Sequence, residues 1–108
     1  MTIGMTKPNR VQMRRGVALP PSTKYVGRAT RWGNPYRIGE RVQFVGSDVS
    51  FELDRPTAVA VYRIWAREQL AQAPEWLEPL RGFNLACYCA PADACHADVL
   101  LELLAATA

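Results

Sequence analysis

Short stretches of alternating polarity fill the first half of the chain, and helical periodicity fills the second. Arg10–Arg14 (RVQMR) puts Val11 and Met13 on one face, the pattern of a short half-buried strand. After the Pro20-Pro21 break, Lys24–Gly27 predicts a second strand, stopped by Gly27. Arg41–Val45 (RVQFV) alternates again and predicts a third, closed by a turn at Gly46-Ser47-Asp48. Asp54 is a good helix N-cap and Pro56 suits the first turn, so a helix is expected from there to about Ala71. Ala58, Val61, Tyr62, Trp65 and Leu70 fall on its apolar face, where the aromatics read as core. Pro74 ends that helix, and Glu75–Leu80 predicts a further helical turn. Phe83–Cys89 reads as an apolar strand and the leucine-rich run from Cys95 as a last helix.

Strands followed by helix, strand and helix predict an α/β domain, a small Rossmann-like sheet flanked by helices. Its C-terminal strand–loop–helix carries the Cys/His cluster. Residues 1–9, with Gly4, Pro8 and no periodicity, read as a flexible tail, which leaves 10–108 as one domain. At 49% hydrophobic and 21% charged, the chain suits an ordinary globular core. It has no apolar run long enough to cross a bilayer and no signal-peptide pattern. Three cysteines crowded within nine positions make a poor disulfide framework, so a reduced cytoplasmic setting is expected.

Charge is unevenly shared. Residues 1–46 hold nine Lys/Arg against Glu40 alone, a balance of +8, and residues 47–108 balance at −5. A basic half invites a phosphate-bearing small molecule or a nucleic acid, unless the two halves simply neutralise each other in the fold. The turn Trp32-Gly33-Asn34-Pro35 lies within this basic half. Arg28 and Arg31 could fork onto an anion, Trp32 or Tyr36 could stack on a base, and Asn34 could hydrogen-bond to the ligand. The plainer alternative buries Trp32 and leaves the arginines in water.

Cys87, Cys89, Cys95 and the sole histidine, His96, define the chemical centre. Two residues apart on a strand, Cys87 and Cys89 point to one face. With Asp93 as N-cap, Cys95 and His96 fall in the first helical turn. Three readings are open. The four residues suit zinc in a Cys₃His site, although C-x-C-x₅-C-H is not a common zinc-finger spacing. Alternatively Cys95 is a thiolate favoured by the helix N-terminus, His96 is its acid/base partner, and Asp98 orients the imidazole. The third reading makes the cysteines small buried hydrophobes.

YVGRATRWGNPY (25–36) and LACYCAPADACHADVLLELL (85–104) together resemble a family of small bacterial and phage proteins, domain of unknown function 4326. The resemblance spans roughly residues 10–105 and implies that Arg28, Trp32, Asn34, Cys87, Cys89, Cys95, His96 and Asp98 work together. It names no activity and no substrate. The first expectation is an enzyme-like α/β domain whose nucleotide or nucleobase-type ligand sits between the Arg28–Tyr36 loop and the Cys/His centre. A zinc-stabilised nucleic-acid-binding module is the alternative, and a phage protein acting on a host partner would leave no readable mark.

Overall fold

The computed structural model describes residues 8–43 and 46–107. The tail expected over 1–9 lies outside these residues up to position 7. Asn9 is tied down: its N–H donates to Asn84 Oδ1 at 2.8 Å and its carbonyl accepts from Leu85 at 3.0 Å.

The architecture is mixed α/β. Strands β1 (Arg10–Gln12) and β2 (Thr23–Tyr25) flank β5 (Asn84–Cys87), and both run parallel to it. The last strand in sequence is thus the central one. It is apolar because neighbours cover both its faces: Leu85, Ala86 and Cys87 are all buried. The ladder extends slightly past the strand ends, through Val26 N–H to the Ala86 carbonyl at 2.9 Å and Met13 N–H to the Cys87 carbonyl at 2.7 Å. Three short parallel strands are the extent of the likeness to a doubly wound sheet.

A separate antiparallel hairpin joins β3 (Arg41–Gln43) to β4 (Ser50–Glu52) through the expected turn. Phe44 and Val45, the end of the expected third strand, lie outside the described residues. Three-residue β4, in the alternating run Val49–Leu53 and not among the expected strands, delivers the chain to helix α1 (Arg55–Gln72). Asp54 caps α1 by accepting from Thr57 N–H at 2.9 Å, and Pro56 sits in the first turn as expected. Ala58, Tyr62 and Ala66, four residues apart, are its fully buried stripe.

A 3₁₀ segment, Pro74–Leu80, follows α1 and contributes Trp76, Leu77 and Leu80 to the core. Helix α2 (His96–Ala106) closes the layer with Val99, Leu100, Leu103 and Leu104 against α1 and β5. Among the described residues no helix is long and apolar enough to cross a membrane.

Candidate functional site

β5 ends at Cys87, two residues earlier than its apolar run suggests, and the chain turns through 88–94 into α2. Arg10 on β1 holds that turn. Its guanidinium donates to the carbonyls of Ala90, Pro91 and Asp93, and to Asp98 Oδ2 at 3.0 Å. The Arg10 side chain is only 11% exposed, so these acceptors replace the water it gives up. Asp93 therefore does not cap α2; extended Cys95 holds that position, without a side-chain cap bond. Asp98 is engaged by Arg10 rather than by the imidazole.

The turn brings the three sulfurs together, with all Sγ atoms within 4.8 Å of one another. Cys87 and Cys95 lie 2.9 Å apart, and all three thiols are free. Either thiol can be the donor in this contact. This bond holds Cys87 below the ordinary thiol range and, with burial, pushes Cys95 up to about 11. Burial also raises Cys89. Sharing with Cys87 and loss of water thus push Cys95 away from the thiolate expected at the helix start.

His96 is fixed from the other side. Its Nε2 lies 2.7 Å from the Val26 carbonyl, which can only accept, so Nε2 carries the proton. In the neutral ring Nδ1 then presents its lone pair, 3.6 Å from Cys95 Sγ. The mutually close ligand atoms are the three sulfurs, and His96 stands beside them. Its ring packs edge-on to Tyr62, 5.3 Å between centroids.

These groups line one end of a cleft of about 160 Å³ that also reaches Arg28, Asn34, Tyr36 and Arg55. The cleft lies beyond the carboxyl ends of the parallel strands, where open α/β sheets bind their ligands. Tyr25 and Tyr88 form part of its wall, edge to face at 5.9 Å. Arg28, Asn34 and Tyr36 of the bend thus line the same cleft as the Cys/His turn. Asn34 is largely occupied with its own loop: Oδ1 accepts from Tyr36 N–H at 2.8 Å and Nδ2 donates to the Ala58 carbonyl at 3.3 Å.

Two expected ligand contacts fall elsewhere. Trp32 is a core residue, 9% exposed. Its Nε1 donates to the Trp76 carbonyl at 2.9 Å and its own carbonyl accepts from Tyr62 Oη, so it offers no face to the cleft. Arg31 lies over the Trp32 ring at 4.7 Å and lines a separate groove. Arg55 was not anticipated. Its Nη1 lies 3.9 Å from Cys89 Sγ and its Nη2 3.9 Å from Asp93 Oδ2. A cation directly after an N-cap opposes the helix dipole, and that is the one sequence signal that marked it. Arg10 carried no such signal.

The fold and site define a small α/β domain with a three-thiol cleft at the end of a parallel sheet. The profile of the domain of unknown function DUF4326 matches residues 10–106, nearly the whole chain, and the protein belongs to that family. No curated protein and no solved structure matches it significantly.

Proposed function

We propose that Cys87, Cys89 and Cys95 hold a zinc ion, and that the cleft above it binds a phosphate-bearing nucleotide or nucleobase-type ligand in an enzyme-like site. The observation that carries this reading is the convergence of three sulfurs within 4.8 Å at one end of a cleft also lined by Arg28 and Arg55. Zinc–sulfur bonds of about 2.3 Å in a tetrahedron set sulfurs roughly 3.8 Å apart. The Cys87–Cys95 contact is shorter than that value, no separation exceeds 4.8 Å, and loss of the thiol protons would open the 2.9 Å contact toward it. An ion there would also draw off the Cys95 proton, and three thiolates suit zinc better than a harder cation.

Three protein ligands leave a fourth position for water or a ligand group, the arrangement of zinc sites that do chemistry rather than only staple a fold. The ion would supply Lewis-acid polarisation there. His96, with Nε2 committed to Val26, keeps Nδ1 as an acceptor beside the thiols. Arg28 and Arg55 are suited to an anionic group, and Tyr25, Tyr36 and Tyr88 are the aromatic side chains lining the cleft once Trp32 is in the core.

Elemental analysis of protein purified in reducing buffer, alongside Cys87→Ser, tests the reading. About one zinc per chain, lost in the variant, supports it; a metal-free chain that takes up no added zinc ends it. Thermal stabilisation by a mononucleotide, absent in Arg55→Ala, tests the ligand half separately.

A further inference from the structure

Arg28 borders two depressions. Besides the thiol cleft, it lines a groove of about 340 Å³ formed with Arg31, Arg37, Gly33, Pro35 and Trp65. The arginines that hold carboxylates among the described residues are Arg10, Arg55, Arg63 and Arg81. Arg28, Arg31 and Arg37 are exposed and have no acidic partner there. Three uncompensated guanidinium groups around one groove repel each other, and an anion between them removes that cost.

The loop carrying them is stiff. Thr30 Oγ1 donates to the Gly27 carbonyl at 2.6 Å, and Gly33 N–H donates to the Thr30 carbonyl at 3.1 Å. Ala29 is held at φ 72°, a left-handed conformation that costs energy in any residue with a Cβ. Arg31 is braced over the Trp32 ring, so less side-chain freedom is lost when it binds. Trp65, half-buried, is held at its inner edge by Trp76 and Tyr62, 5.7 and 5.5 Å away, and its remaining surface lines the groove. Guanidinium groups beside an aromatic surface are the elements from which single-strand binding grooves are made.

We propose that this groove is a second phosphate subsite, continuous with the cleft through Arg28, and that the ligand is single-stranded nucleic acid rather than a mononucleotide. One nucleotide occupies the cleft; the next phosphate lies among Arg28, Arg31 and Arg37, with a base against Trp65. This rests on the nucleotide reading of the cleft, but the groove can be tested apart from it.

Fluorescence anisotropy with a short labelled oligothymidylate, over a range of salt, is compared with thermal stabilisation by thymidine 5′-monophosphate. Wild type, Arg37→Ala and Arg31→Ala/Arg37→Ala are used. Arg37→Ala removes an exposed side chain and guards against misfolding of the double variant. The double variant should bind the oligonucleotide roughly tenfold or more weakly. Its salt slope should fall by about 0.7, the loss of one phosphate contact. Its response to the mononucleotide should not change. Unchanged oligonucleotide affinity and slope, equal loss of both ligands, equal binding of duplex, or no binding of the oligonucleotide by wild type would each overturn the proposal. Arginine-dependent oligonucleotide binding without any mononucleotide response would leave the groove standing and remove the nucleotide reading of the cleft.

Discussion

His96 Nε2 and the Val26 carbonyl, 70 positions apart in sequence, meet at 2.7 Å and join the first turn of α2 to the chain leaving β2. The bond fixes the tautomer and aims Nδ1 at the thiols. His96→Ala should leave the Val26 carbonyl unpaired and cost about 1–3 kcal/mol, read as a lower Tm. Zinc content should survive, because the proposed ligands are the sulfurs; loss of zinc in this variant would make the imidazole the fourth ligand.

Arg10 governs the thiols without touching them. Arg10→Met should free the 90–93 turn and lower zinc affinity roughly 10–100-fold, the usual effect of losing a group that orients ligands. Competition against a chromophoric chelator measures it, and unaltered affinity would show that the turn keeps its shape alone.

Gly33 marks a close backbone approach within the Arg28–Tyr36 loop. A Cβ there would meet the Gly27 carbonyl oxygen at 2.6 Å, and backbone cannot swing aside as a side chain can. Gly33→Ala should lower Tm and abolish stabilisation by a mononucleotide while zinc content stays intact. A melt and an elemental analysis on the same sample separate the two effects.

The α1 cap gives a pH dependence with a definite sign. The Thr57 hydrogen bonds lower the Asp54 pKa, so the folded state binds this proton less readily than the unfolded chain. Its contribution is present above the unfolded carboxylate value and is lost as pH falls through the lower folded value. Asp54→Asn should therefore reduce the acid-side fall in Tm, and identical acid limbs in the two proteins would contradict the assignment.

Helix α1 was legible almost to the residue, because Asp54, Pro56 and Pro74 are local punctuation and the helix between them needs little else. The cysteine turn was legible as a place but not as a mechanism. Asp93 has the better cap chemistry, yet Arg10, 83 positions away, fixes that part of the turn through the Asp93 carbonyl and Cys95 becomes the cap. Trp32 misled for a related reason. A tryptophan on a basic turn suits a ligand as well as a core, and the acceptor that draws it inward, the Trp76 carbonyl, is 44 positions distant. Strand β4 lies in an alternating run, Val49–Leu53, whose signal is hemmed in by the Gly46-Ser47-Asp48 turn before it and the Asp54 cap after it.

X-ray absorption at the zinc edge on protein purified in reducing buffer tests the central claim most directly. The three-thiolate centre predicts about three sulfur neighbours near 2.3 Å and one nitrogen or oxygen near 2.0–2.2 Å. A shell made only of nitrogen and oxygen, or no stoichiometric zinc at all, would contradict it.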